Sequence, residues 1–544
     1  MRTVASEFAR LLKDTGIEYV FGVPSGNMID YMEEIRKTEG IEFILTSHES
    51  TAAFMASVVG RLTGKPGACF GTFGPGSTNL STGVGCAFLD RNPVLAFTDE
   101  MPENLRSRTV QMNINHQALF RPITKWTTRL DPLRMEQIIL ESANLACSGI
   151  PGPVHIGVPA GIGQAEIQGS SGKSPIPFRE KNIISERIIN KAISEAITQL
   201  RQATRPIIAV GLDAVRAKIA PEIKMLAEKL QVPVVLTPMA KGIFPESHPL
   251  YAGVLFHALS DRVAETYRKA DLVIGIGYDP VEFNYEDWMP DTLLLHINFC
   301  PADVDETKVP HVLNVIGDIG NTIQSLLKSE TGNFNWDLTG VEERKKAMFR
   351  ELESPEASFG PRAIISELRK ALPQEGILTV DVGAHLHLVG QQWQTPSPEK
   401  LLMTNGWSSM GFAIPAAMAA KLLNPDLPVA CLMGDGGFRM MVGELATAKR
   451  LNLSVVFIVI LDGSLSLIDI KQNKKGYNRE YGTQLQENIY PPSDHIFGVP
   501  IIRAEDRASY KNALNKAFAN EGPVLIEVVV DGREYDNFVL KANK

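Results

Sequence analysis

Two acidic residues in the last third of the chain stand where they could do chemistry. The segment CLMGDGGF at 431–438 reads as a buried strand that ends in Gly434-Asp435-Gly436 and turns into a helix. A second apolar run, 455–461, leads into Asp462-Gly463-Ser464, so the two aspartates lie 27 positions apart. A strand–helix–strand crossover of that length would bring both to the C-terminal edge of neighbouring parallel strands. Two carboxylates there, with a backbone carbonyl from the next turn, make a hard-oxygen set suited to Mg²⁺ holding a diphosphate. The glycines beside Asp435 would let the backbone approach phosphate oxygens. Alone, each motif also reads as an ordinary strand-end turn.

The first third carries two more segments. In LTSHESTAAFMASVVGRLTG, at 45–64, a strand-like Phe43-Ile44-Leu45 runs into Ser47-His48-Glu49 and a helix of small residues. Glu49 falls at the helix start, where backbone N–H groups and the macrodipole favour a carboxylate. Ala52, Ala53, Ala56, Ser57 and Gly60 predict close helix packing, with a partner subunit as the expected neighbour. In GTFGPGSTNLSTGVG, at 71–85, Gly74-Pro75-Gly76 makes a rigid turn, with Ser77, Thr78 and Asn79 available to cap a helix. No Lys follows the last glycine as a P-loop requires, and GIGYDP at 275–280 lacks the third glycine of the dinucleotide fingerprint.

Composition sets the frame around these motifs. The chain has 544 residues, 44% hydrophobic and 21% charged, which is the balance of a globular protein. A net charge of −8 excludes a globally basic nucleic-acid binder. Five cysteines without close pairs fit neither a disulfide framework nor a zinc site, and point to a reducing compartment. Near the N-terminus, Val4, Phe8, Leu11 and Leu12 form a stripe against Arg2, Glu7, Arg10, Lys13 and Asp14. That is an amphipathic helix, too charged for a signal-peptide core. The longest apolar run, 455–461, falls far short of the roughly 20 residues a membrane span needs. The expectation is a cytoplasmic protein with neither membrane nor nucleic acid as partner.

Short apolar runs must position the motifs. They fall at 19–23, 94–98, 154–158, 207–210, 232–236, 272–276, 293–297, 377–381, 429–433, 455–461 and 524–530, with helical spacers between them. This alternation predicts parallel sheets covered on both faces, with ligands beyond the C-terminal strand ends. Gly/Ser/Pro-rich residues 167–179 and the polar stretch 329–361 read as linkers. The reading is an α/β protein of three doubly wound parallel-sheet domains, at about 1–170, 185–330 and 355–544.

In this order the motifs resemble the thiamine-diphosphate-dependent enzymes of the acetolactate synthase and pyruvate decarboxylase family. The segments that carry the resemblance are HESTAAFMASVVGRLTGKPG, GTFGPGSTNLSTG, RPITKW, WSSMGFAIPAA at 407–417, and GDGGF with ELATA and LDGS; together they span essentially the whole chain. Residues 270–290 and Asp462 are most similar to the catabolic, FAD-independent acetolactate synthases, which implies no flavin. The resemblance names the domains as pyrimidine-binding, central and diphosphate-binding. It implies that Asp435, Asp462 and the Ser464 carbonyl hold Mg²⁺. Pro24, Gly76, Asn79, His385, Ser408, Met410, Gly434, Gly436 and Gly437 would touch thiamine diphosphate, with Met410 as the apolar wedge that bends it. Glu49 would reach the aminopyrimidine from a partner subunit, so a homodimer is the smallest expected assembly and a tetramer is compatible.

The substrate side departs from the family pattern. A loop lysine of acetolactate synthases falls near Asn27 in this chain, and a glutamine before RPITKW is replaced around Met112 or Asn113. Pyruvate decarboxylases pair two histidines in this region, where this chain has His116. Ser25, Asn27, His116, Gln117 and His385 are the substrate-side candidates, His116 and Gln117 as catalytic groups; His155 and His387 read as structural. The resemblance implies carboligation after decarboxylation of a small 2-oxoacid, or work on an acyloin-type substrate. A non-oxidative 2-oxoacid decarboxylase or C–C lyase is the alternative reading. A catalytically idle cofactor-binding scaffold is a third, opposed by intact Glu49, Asp435 and Asp462.

Overall fold

The computed structural model describes residues 2–167, 186–282, 289, 291–330, 332–485 and 493–540. Three sheets organise them. The first contains β1 (Tyr19–Gly22), β2 (Glu42–Leu45), β3 (Gly67–Gly71), β4 (Val94–Glu100), β5 (Trp126–Arg129) and β6 (Pro153–Pro159), in the order β2-β1-β3-β4-β6-β5. The second contains β7 (Pro206–Val210), β8 (Val234–Leu236), β9 (Tyr251–Val254), β10 (Leu272–Ile276), β11 (Leu293–Asn298) and β12 (Val312–Ile316), in the order β12-β11-β10-β7-β8-β9. The third contains β13 (Ile377–Val380), β14 (Leu401–Leu402), β15 (Val429–Gly434), β16 (Val455–Leu461), β17 (His495–Ile496), β18 (Val499–Ala504) and β19 (Val524–Val529), in the order β14-β13-β15-β16-β19-β18-β17. Every pairing is parallel except the short β17–β18 hairpin at one edge. The fold is therefore α/β with three doubly wound sheets, as the strand–helix alternation predicts.

In each sheet the chain order turns at an inner pair of strands, between β1 and β3, between β7 and β10, and between β13 and β15, and in the first and third sheets it turns once more toward an edge. Loops diverge there and leave a crevice at the C-terminal strand ends. The third sheet is the hub. One core cluster joins it to the first sheet through Phe54, Leu80, Phe412 and Ala417; another joins it to the second through Ile364, Leu378 and Trp393.

The small-residue helix, Glu49–Thr63, packs inside this chain, between helix Pro75–Leu89 and helix Ala413–Leu423. Backbones approach so closely that a Cβ on Gly83 would stand 2.4 Å from the Cβ of Ala53 and 2.9 Å from the Phe54 nitrogen. Phe54 and Phe412 meet edge to face across the same seam, with ring centroids 5.9 Å apart.

The stretch 329–361 is not simply a linker. It holds the 15-residue helix Leu338–Leu352, whose Val341, Met348 and Leu352 are buried against the central core. The other break, read at 167–179, lies outside the described residues from 168 onward, as do the domain edges near 170 and 185, and residues 283–288 and 290 of the segment 270–290.

Gly83→Val should overpack the helix seam and cost about 2 kcal/mol of stability, seen as a lower denaturation midpoint. Gly26→Ala, where an added Cβ meets nothing within 4 Å, should change stability by less than about 0.5 kcal/mol.

Candidate functional site

The register of β15 and β16 pairs Gly434 with Ile460, which sets Asp435 and Asp462 side by side just beyond the strand ends. Asp435 is the first residue of helix Asp435–Met441; its Oδ1 accepts from the Gly436 N–H at 2.8 Å and its Oδ2 from the Gly463 N–H at 2.9 Å. Asp462 accepts from the Ser464 N–H at 3.2 Å and from the Ser466 hydroxyl at 2.6 Å. Burial, reinforced by the charge of Asp462, pushes Asp435 up to about 7. Burial likewise pushes Asp462 up to about 6.

A cleft of about 200 Å³ opens over the pair. His385, Ser408, Met410, Gly434, Gly436, Gly437 and Ser464 line it, together with Tyr535. Burial holds His385 neutral, down to about 4, and its Nε2 and the Ser464 hydroxyl have no hydrogen-bond partner. Gly437 must be glycine: a Cβ there would lie 1.7 Å from Asp381 Oδ2, which accepts from the Gly411 N–H at 3.0 Å. Met410 Cε stands 2.9 Å from where a Gly436 Cβ would be. Ser408 adopts a left-handed backbone, φ 52°, and its hydroxyl donates to the Asn405 carbonyl.

A second set gathers at the C-terminal ends of β1–β4. His48 caps helix Glu49–Thr63, accepting from the Ser50 N–H, and Glu49 follows as its first residue, buried. Asn79 Nδ2 donates to Glu49 Oε2 at 3.0 Å, and Gly76 lies against Glu49 Oε1. The Glu444 carboxylate accepts from the N–H groups of Ser47 and His48, pinning this turn to the third sheet's layer. Pro24, exposed, and Ser25 and Asn27, half-buried, occupy the loop after β1. Ser25 Oγ donates to Asp99 Oδ2 at 2.5 Å and Thr72 Oγ1 to the same oxygen at 3.2 Å.

His116 is buried below the Gly74-Pro75-Gly76 turn. The Gly74 N–H donates to its Nε2 at 3.2 Å, so the proton sits on Nδ1, which faces Thr98 Oγ1. The chain continues in one sense. Thr98 donates to His155 Nε2, His155 Nδ1–H to Thr127, and Thr127 to Gln117 Oε1. Gln117 Nε2 then donates to Glu100 and to the Thr128 carbonyl. The sequence holds only if both imidazoles are neutral, and burial lowers the pKa of both, His116 to about 4. His116 and Gln117 are thus committed to protein partners. His155 is buried and stacks on Phe120 at 4.2 Å, and His387 is half-buried in helix Ala384–Gln392.

The structure brings Asp435, Asp462, Ser464, His385, Ser408, Met410 and the three glycines together. It also brings Glu49, Gly76 and Asn79 together. None of residues 2–167 is among those that line the cleft over Asp435 and Asp462. Sequence reasoning passed over Asp99, Thr72, Ser466 and Tyr535. Asp99 had a signal available: it directly follows the apolar run 94–98, at the strand end where ligands bind.

Comparison with known proteins gives three domain matches in chain order. These are the thiamine pyrophosphate enzyme N-terminal TPP binding domain over residues 2–119, the central domain over 193–326, and the C-terminal TPP binding domain over 381–528. An acetolactate synthase of Bacillus subtilis is 30% identical over 548 residues, covering 98% of this chain and 94% of the relative. An acetolactate synthase of Arthrospira platensis is 29% identical, covering 97% and 95%. A probable acetolactate synthase large subunit of Methanocaldococcus jannaschii is 29% identical, covering 97% and 92%.

An imidazole whose folded pKa is depressed stabilises the fold fully above its ordinary value and loses that contribution as the pH falls through the folded one. NMR of ring-labelled protein should show His116 neutral at pH 6 with a midpoint near 4. A midpoint above 6 would refute the chain of donors drawn above.

Proposed function

The chain belongs to the thiamine-diphosphate-dependent acetolactate synthase family and is a thiamine-diphosphate-dependent enzyme; from that premise we propose that it joins an acyl unit, taken from a small 2-oxoacid with loss of CO₂, to a second carbonyl compound. The observation that carries this reading is the pair of Asp435, buried, and Asp462, half-buried, at one glycine-lined cleft. Two neighbouring carboxylates with raised pKa values are relieved by a divalent cation. Among the described residues no group of three or more His, Cys, Asp or Glu is placed to hold a metal. The two aspartates and the Ser464 carbonyl suit Mg²⁺, a hard cation that would take its remaining oxygens from phosphate and water. The N–H groups and bare backbone of Gly434, Gly436 and Gly437 suit the diphosphate itself. The His385 Nε2 and the Ser464 hydroxyl, without a partner among the described residues, suit a polar ligand at the wall.

Bound thiamine diphosphate would supply the carbon nucleophile and the electron sink needed to break or form a bond next to a carbonyl. The protein's share is placement and proton handling. We assign Glu49, held by Asn79, to the aminopyrimidine ring nitrogen, where its carboxyl group takes and returns a proton. We assign Met410 to the wedge under the cofactor's bend. We assign Pro24 to the cofactor, Ser25 and Asn27 to the substrate side, and His116 and Gln117 to catalysis there. Because Glu49 lies outside the cleft of its own chain, the site would form between the first layer of one subunit and the third layer of another, in a homodimer or a tetramer.

We infer no flavin requirement. Its support is that the central switch point is filled by the chain itself. Glu282, buried, accepts from the Leu212 N–H at 2.9 Å and the Met239 N–H at 3.2 Å, and Gly211 closes against Gly277. Five free cysteines support a reducing, cytoplasmic setting. No described helix is long and apolar enough to cross a membrane.

Glu49→Gln should keep cofactor affinity within about threefold and lose at least about 100-fold in turnover of a 2-oxoacid, followed by CO₂ release. Asp435→Asn should instead lose Mg²⁺-dependent cofactor binding, measured by calorimetry. An active Glu49→Gln enzyme would sink the assignment.

A further inference from the structure

A returning segment runs beside the third-sheet cleft. Residues 476–485 leave helix Ser466–Lys474 through Gly476, left-handed at φ 69°, and double back along the turn that follows Asp462. The Leu465 N–H donates to the Thr483 carbonyl at 2.8 Å, and the Leu485 N–H to the Gly463 carbonyl at 2.7 Å. These bonds flank Ser464, which faces Gln484 as a non-hydrogen-bonded antiparallel pair, so the Ser464 carbonyl is directed away from this strap. Leu485 Cδ1 stands 3.7 Å from where a Gly436 Cβ would be, and Met410 Cε 2.9 Å from the same point. The strap therefore sets the course of the backbone that carries Ser464.

One side chain ties the strap to both of its neighbours. Arg479 donates from Nε to Asp469 Oδ2 at 2.7 Å, and from Nη1 and Nη2 to Asp536 Oδ2 and Oδ1 at 2.7 and 3.0 Å. The Glu480 N–H adds a bond to Asp469 Oδ1 at 3.0 Å. Asp469 belongs to helix Ser466–Lys474. Asp536 follows Tyr535, a wall residue of the cleft, in the short helix Gly532–Asn537, where a Cβ on Gly532 would stand 2.8 Å from Asp462 Oδ2. A forked guanidinium on two carboxylates fixes direction as well as distance, which an ammonium does not. Arg479, Asp469 and Asp536 do not themselves line the cleft, so their effect on a ligand passes through the walls they hold.

We propose that Arg479 is a positioning residue: by locking the strap to helix Ser466–Lys474 and to helix Gly532–Asn537, it preorganises the Asp462–Ser464 turn for a divalent cation and the diphosphate that cation holds. This rests on the cation-and-diphosphate reading of the cleft above. Geometry and charge make opposite forecasts. Asp469 is near enough to Asp462 for its charge to be felt there. Removing the guanidinium would leave Asp469 and Asp536 without it beside Asp435 and Asp462, and by charge alone a cation would then bind more tightly. Losing the lock frees the Ser464 backbone, and the same cation would bind more weakly. Lysine separates the two effects, because it keeps the charge and loses the fork.

The test uses the full chain and measures Mg²⁺-dependent binding of thiamine diphosphate by calorimetry. Arg479→Met and Arg479→Lys should each weaken it at least about tenfold, the scale of broken charged hydrogen bonds. Without cofactor, chymotryptic cleavage after Tyr477 and Tyr481, both exposed, should speed up at least about tenfold in both variants, mapped by mass spectrometry. Asp536→Asn should weaken binding by itself and add less than about twofold on top of Arg479→Met, because the two changes remove one shared contact. Where Arg479→Met does not fold, Arg479→Lys and Asp536→Asn decide by the same criteria. Unchanged or tighter binding in Arg479→Met, wild-type binding in Arg479→Lys, or independent losses in the double variant would overturn the positioning role alone. Wild-type protein that binds thiamine diphosphate equally well without Mg²⁺, or not at all, would overturn it together with the reading of the cleft.

Discussion

Parallel pairing of β15 with β16 places two aspartates beside each other at a buried strand end, and much of the third sheet is arranged around that repulsion. Like charges at this range raise one another's pKa, and burial removes the water that would screen them. The fold meets part of the cost with N–H donors from Gly436, Gly463 and Ser464 and with the Ser466 hydroxyl. Those bonds fix each carboxylate's direction without neutralising it. A retained proton or a cation can relieve the pair, so the proposed hard-ion reading draws on electrostatics as well as on motif order.

Close backbone approach is the second device. Gly437 leaves room for Asp381, and Asp381 in turn holds the Gly411 turn that presents Met410. In the first layer, Gly83 lets helix Pro75–Leu89 lie against helix Glu49–Thr63, and Gly76 leaves space beside the Glu49 carboxylate. The neutral imidazoles of His116 and His155 act in the same way. Their one-directional chain ties the Gly74 turn to Gln117 and Glu100, so the cofactor-side turn and the substrate-side segment share one rigid network.

The strand-end chemistry was legible because it is local. Gly434-Asp435-Gly436, the Asp462 turn and the Glu49 helix start each lie within a few residues of an apolar run, and run and turn together fix their place. What could not be read depends on groups from separate loops. Asp99 takes its hydrogen bonds from Ser25 and Thr72, donors that sequence distance hides. Strand Gly67–Gly71 escaped notice because GACFG offers small residues in place of a branched apolar run. Helix Leu338–Leu352 was read as linker because its buried stripe is narrow, Val341, Met348 and Leu352 among charged neighbours. His116, a candidate catalytic group by position, lies among partners from β4 and the Gly74 turn that no spacing rule brings together.

A cofactor with a charged end and a reactive ring needs two kinds of surface, and a doubly wound sheet makes one crevice at its switch point. In this chain the first and third sheets belong to the two domains that match TPP binding domains, and the proposed reading gives the third the diphosphate and the first the ring and substrate. The second sheet has a switch point of the same topology, yet its own Glu282 accepts the N–H donors there and Gly211 meets Gly277. Topology therefore sets where ligands can bind, and side chains decide whether they do. The filled crevice leaves the central layer to serve as scaffold. Asn405 near the third-sheet cleft donates to the Glu282 carbonyl, and Arg91 of the first layer pairs with Asp279, so the filled crevice also anchors both working layers.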